Sequence, residues 1–206
     1  MKLRRISLSA LALCLIAVPA MAQTIYSNGA ISGTIDAWTI NFGFVVSDTF
    51  TVGGSGGTVT GLSFGVWEDP GDVLLSAEVQ ITSAEDGGTV FFDQVANFTQ
   101  SGCSANQYGF NVCTETGSLN PVNLAAGTYW INLDNAVTEF GSPIFWDEND
   151  GPSLASQTSV GTIPSESFTV LGTSTTGGGS VPEPGSIMLF GTGILGLAGF
   201  LRRKLF

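Results

Sequence analysis

The chain has 206 residues, 43% of them apolar, and a formal charge of −11. All six basic residues sit at its ends, so residues 23–181 hold 16 of the 17 acids and no Lys, Arg or His, a net 0 − 16 = −16. This excludes nucleic-acid and anionic-lipid binding, which need cations against phosphate, together with catalytic sets whose base is His or Lys and zinc sites built on His.

The N-terminus reads as a signal peptide over residues 1–22. Lys2, Arg4 and Arg5 form a basic start, Leu8 to Val18 an apolar run of 11 residues, and Ala20-Met21-Ala22 supplies the small residues a signal peptidase reads. Cleavage is expected before Gln23. Cys14 follows Leu13 where a lipoprotein signal needs a small residue. The competing reading is a first transmembrane helix that is retained.

Residues 23–171 have a β texture. Leu62, Phe64 and Val66 alternate with Ser63, Gly65 and Trp67. Leu75, Ala77, Val79 and Ile81 alternate with Ser76, Glu78, Gln80 and Thr82, and Tyr129, Ile131 and Leu133 with Thr128, Trp130 and Asn132. Period two places one set of side chains on a core face and the other on an outer face. Residues 45–52 and 89–98 are rich in Val, Phe and Thr, which suit a half-buried pleated surface. Gly-rich and Asp-Gly turns at 53–57, 69–72, 86–88 and 126–127 punctuate these runs. The expectation is an all-β fold, an antiparallel β-sandwich of jelly-roll type with eight to ten short strands.

Three sets of residues in this domain invite a functional reading. Glu68 to Asp72 and Asp147 to Gly151 each gather acids in a turn, making Asp69, Asp72, Asp147 and Asp150 candidate calcium ligands; the alternative is a pair of solvated acidic turns. Trp67 and Trp130 fall on the outer face and Trp146 adjoins an acidic turn, so all three are candidate glycan-stacking rings. The alternative is that they pack under loops, and a one-residue slip in register would reverse the assignment. With Cys14 removed in the signal, Cys103 and Cys113 are an even pair in an exported chain, read as a disulfide against the alternative of two free thiols. Sixteen acids also bring some carboxylate pair together by chance, which gives a glycosidase reading little weight. No cofactor is required, calcium being the sole candidate.

Residues 172–181 form a Gly/Ser/Thr linker, after which the sequence changes character. Val181, Pro182, Glu183 and Pro184 form an extended motif, since each proline disfavours helix at the residue before it. An apolar stretch from Ile187 to Leu201 follows, roughly 25 Å long as a helix, a short bilayer span. Arg202, Arg203 and Lys204 end it and hold the tail on the cytoplasmic side.

In its order of motif, short apolar span and basic tail, the segment 182–206 closely resembles the PEP-CTERM sorting signal of Gram-negative bacteria. The resemblance implies that an exosortase, a membrane enzyme with a cysteine nucleophile, reads Pro182, Glu183 and Pro184 and removes the span and tail. It also implies export across the inner membrane, a transient anchor, and a link to exopolysaccharide or biofilm matrix. It implies nothing about what the β domain does. The leading expectation is a non-enzymatic surface or matrix protein. The alternatives are a carbohydrate-binding module and, behind it, a carboxylate hydrolase.

Overall fold

A computed structural model describes residues 23–175. The signal segment, Val181, Pro182, Glu183 and Pro184, the apolar span, and Arg202, Arg203 and Lys204 lie outside the described residues.

Among the described residues twelve strands follow in chain order: β1 (Gln23–Ser27), β2 (Ala37–Thr39), β3 (Val46–Val52), β4 (Gly57–Glu68), β5 (Leu74–Ala84), β6 (Gly87–Ala105), β7 (Asn111–Leu124), β8 (Gly127–Thr138), β9 (Ile144–Asp147), β10 (Ala155–Gln157), β11 (Gly161–Ile163) and β12 (Phe168–Ser174). Every pairing is antiparallel, in the order β1-β12-β4-β7-β6-β5-β8-β3-β10-β11, with β2 and β9 attached beside β4. No helix among the described residues is long and apolar enough to cross a membrane.

The all-β antiparallel expectation holds, but the two layers are halves of one curled sheet. The strand that joins them is β6. Its first part pairs β5, ending at Ser76 opposite Asn97, and its second part pairs β7, starting at Phe98 opposite Gly117. A 19-residue strand is long enough to bend from one layer into the other, as strands do at sandwich corners. The three-residue strands β2, β10 and β11 are too short to show alternation, so the sequence does not announce them.

The core lies between the halves. Phe50 of β3 meets Tyr26 of β1 at 6.4 Å and Tyr129 of β8 at 5.8 Å, ring centre to ring centre. Trp146 packs edge-on against Phe64 at 5.9 Å and Phe168 at 5.5 Å. Leu62, Val79, Ile81, Ile131 and Leu133 fill the space around them. Fully burying side chains of this size is worth about 1.5–3 kcal/mol each, which is what holds the layers face to face.

Two expectations about register change. Leu75 is exposed while Leu74 is buried. Irregularities in the β5–β8 pairing fall between Leu74 and Ser76 and between Ser76 and Glu78, so the alternation set by Ala77, Val79 and Ile81 breaks at that end. The domain also runs past residue 171. Gly172 sits at a bulge of β12 against β4, where a Cβ would come within 2.0 Å of the Thr58 carbonyl oxygen, and pairing continues to Ser174 opposite Gly57. Glycine there is a packing requirement rather than the start of a linker.

Candidate functional site

The structure places Trp67 and Trp130 off the core face, as alternation expects, yet it does not leave Trp67 exposed. Trp67 is 5% exposed and Trp146 is wholly buried. Segment 31–36 and the β6–β7 turn cover the outer face at Trp67. Its Nε1 donates to Asp147 Oδ1 at 2.6 Å, and Tyr108 stacks on it at 5.5 Å with 20° between planes. Trp146 belongs to the core, its Nε1 donating to the Ser167 carbonyl at 2.9 Å. Trp130 is half-buried in β8 between Thr49 and Thr82. With Trp67 and Trp146 buried, the three tryptophans do not form an exposed set.

The acidic turns are likewise committed to the fold. Asp72 is 4% exposed: its Oδ1 accepts from Val73 N and Phe140 N, both at 2.9 Å, and Oδ2 accepts from Ser142 N at 3.1 Å. Burial pushes its pKa upward, but these donors outweigh it and hold the carboxyl well below the usual range. Asp147 is fully buried, its Oδ1 accepting from Gly33 N at 2.7 Å as well as from Trp67, and its Oδ2 from Ser32 N at 2.8 Å. Asp69 is half-buried beside Asp72, and Asp150 is exposed. Asp72 and Asp147 clamp loops with the oxygens that a cation would need. The four acids are not gathered into one ligand set.

Cys103 and Cys113 form the expected disulfide. It braces the hairpin of β6 and β7, whose turn is built on Asn106. That side chain's Oδ1 accepts from Tyr108 N and Phe110 N, both at 3.0 Å. The turn carries Tyr108 over Trp67 and places Phe110 6.0 Å from Trp67 and 5.5 Å from Phe145. A recess of about 380 Å³ opens here, lined by Ile35, Asp36, Trp67, Tyr108 and Phe110. Tyr108 is 54% exposed, so the accessible aromatic ring lies on the disulfide-braced turn. The signal for it in the sequence is an aromatic pair spaced by one glycine, Tyr108-Gly109-Phe110, inside a cystine loop.

Glu68 and Glu115 form a second, hidden feature on the core faces of β4 and β7. They are 1% and 0% exposed, with Glu68 Oε2 and both Glu115 oxygens lacking a hydrogen-bond partner. Burial pushes Glu68 up to about 7. Burial, with the Glu68 charge added, pushes Glu115 up to about 8. Carboxyls closed off in this way do not meet a substrate. Glu68 also lies beside the two cysteine sulfurs, but a disulfide has no thiolate to offer a metal.

No curated protein and no solved structure matches this chain. Residues 180–204 do match the family model of the PEP-CTERM protein-sorting motif, and by that match the chain carries the signal that marks an exosortase substrate exported and sorted to the cell surface.

Proposed function

We propose that this chain is a non-enzymatic component of the cell surface or extracellular matrix of a Gram-negative bacterium. Signal peptidase removes residues 1–22, the span after Ile187 holds the chain transiently in the inner membrane, and exosortase acts at Pro182-Glu183-Pro184. The sorting motif at 180–204 is the observation that carries this reading. The product would keep none of the six basic residues, leaving a β domain of formal charge −16 between residues 23 and 181. An association with exopolysaccharide or biofilm matrix follows from that destination. Replacing Pro182 and Glu183 with Ala tests it: the variant accumulates in the membrane fraction with its tail intact, while the parent chain leaves it.

A second reading, that the domain binds the cell's own polysaccharide, rests on the recess beneath Tyr108. A ring stacked on an aromatic face with a carboxylate at the rim is how sugars are commonly held: the ring supplies apolar area and Asp36 accepts from hydroxyls. Polysaccharide pull-down that survives Trp130→Ala but disappears with Tyr108→Ala supports it; retention in both variants removes it.

A further inference from the structure

The carboxylate of Glu166 is fully buried, and neither of its oxygens has a hydrogen-bond partner. Beside the Glu166 backbone, the Asn28 side chain meets more oxygens than it has hydrogens. Asn28 Nδ2 has two hydrogens, yet four oxygens surround it: Ser153 Oγ at 2.6 Å, the Glu166 carbonyl at 2.6 Å, Ser165 Oγ at 3.1 Å and Asp48 Oδ2 at 3.5 Å. Asp48 is also fully buried, accepting from Glu166 N at 2.7 Å. Residues 23–181 contain no cationic side chain to neutralise either acid.

The surroundings fit an ion. Burial pushes Asp48 up to about 7. Burial also drives Glu166 well above the ordinary range, with the charges of Asp48, Glu148, Asp147 and Asp36 adding to the effect. Asn149 and Gly151 close over the nest, and a side chain at 151 would strike the Asn28 carbonyl oxygen, Ser165 Oγ and Asn149 Oδ1 at 2.4, 2.5 and 2.8 Å. A cavity of about 530 Å³, lined in part by Asn28, Asn149 and Gly151, lies at the Asn28 edge of the nest.

We propose that this nest is a calcium site, with Asp48 and Glu166 supplying the charge and Asn28, Ser153 and Ser165 supplying neutral oxygens. An all-oxygen, irregular set of carboxylate, hydroxyl, amide and carbonyl groups suits Ca²⁺; Mg²⁺ demands an octahedron of shorter bonds, and zinc prefers nitrogen and sulfur. The Asn28 amide turns so that its oxygen faces the ion. Tyr26 O–H, which now donates to Asn28 Oδ1 at 2.9 Å, then accepts from the amide nitrogen instead. The charges of Asp36, Asp147 and Glu148 add to the negative field at Glu166.

The test is a titration of the full-length chain in detergent with CaCl₂ after stripping with chelator, read by calorimetry and by the thermal midpoint. One ion binds per chain, and at a hundredfold excess over Kd the midpoint rises by about 5–10 °C. MgCl₂ or NaCl at equal ionic strength achieves less than half of that. Glu166→Gln weakens binding at least tenfold, whereas Asp93→Asn, an exposed acid elsewhere, leaves it unchanged. Should Glu166→Gln not fold, Ser153→Ala takes its place with a smaller loss of affinity. Absence of saturable binding at millimolar calcium overturns the site. So does full affinity in both nest variants, an equal effect of Asp93→Asn, or equal stabilisation by magnesium or sodium.

Discussion

Trp67 Nε1 and Asp147 Oδ1 lie 2.6 Å apart, an indole donating to a buried carboxylate across the junction of β4 and β9. Taken separately, each residue invites a functional reading, the ring as a sugar platform and the acid as a calcium ligand. Paired, they fix segment 31–36 over the outer face of the sheet. Asp147→Asn keeps the shape but exchanges one acceptor oxygen for a donor facing other donors. The expected loss is about 2–4 kcal/mol, since three hydrogen bonds to a charged group are weakened at once. Trp67→Phe, which removes one of them, costs about 1.5–3 kcal/mol. Denaturant unfolding measures both, and stability equal to the parent in Asp147→Asn would show the contact to be ornamental.

Trp146 provides the contrast between core and surface. It is fully buried among Phe64 and Phe168, so Trp146→Ala destabilises by about 3–5 kcal/mol. Tyr108→Ala, at a half-exposed ring, changes stability by less than about 1 kcal/mol. Loss of glycan binding in a Trp146 variant is therefore uninformative, while loss in the Tyr108 variant is specific.

The buried acids set a pH dependence of definite sign. Glu68, Glu115 and Asp48 have pKa values raised to about 7, 8 and 7 in the folded chain. Between the ordinary carboxylate range and those values, the folded state holds protons that the unfolded state has released. Stability therefore falls as pH rises from about 4.5 to 8, by up to about 1.4 kcal/mol per pH unit for each such group. In calcium-free buffer the thermal midpoint is higher at pH 5 than at pH 8, and Glu115→Gln flattens the upper part of the curve. A midpoint that climbs across this window contradicts the burial of these groups as acids.

The disulfide makes a separate prediction. Cys103 and Cys113 are separated by 10 residues, and reduction releases a loop worth roughly 3 kcal/mol on the chain-entropy account. The bridge also braces the turn that carries Tyr108 and Phe110. Reduction therefore lowers the thermal midpoint and quenches or shifts Trp67 fluorescence, because the ring stacked on it loses its support. A lowered midpoint with unchanged emission would separate the bridge from the recess.

Sequence patterning reaches some of this and not the rest, for identifiable reasons. Leu62, Phe64 and Val66 show their core face because period-two alternation holds in β4 beyond the irregularity between Val59 and Gly61. Ala77, Val79 and Ile81 do so until the irregularities near Ser76 break the register. Trp67 is placed on the correct face, but alternation describes only the two sides of a sheet and cannot see the loop laid across one of them. The bond between Cys103 and Cys113 is legible from export and an even count. Glu166, Asp48 and Asn28 are far apart in sequence and sit in no acidic run, so only the fold brings them into contact.

Intact-mass analysis of the protein from cells with and without the exosortase tests the central claim, that this chain is an exosortase substrate, most directly. The account predicts a product from normal cells that begins at Gln23, ends near Pro182-Glu183-Pro184 and carries one disulfide. Without the enzyme, the product should keep every residue to Phe206. The same C-terminus in both strains, with Arg202, Arg203 and Lys204 still present, would contradict it.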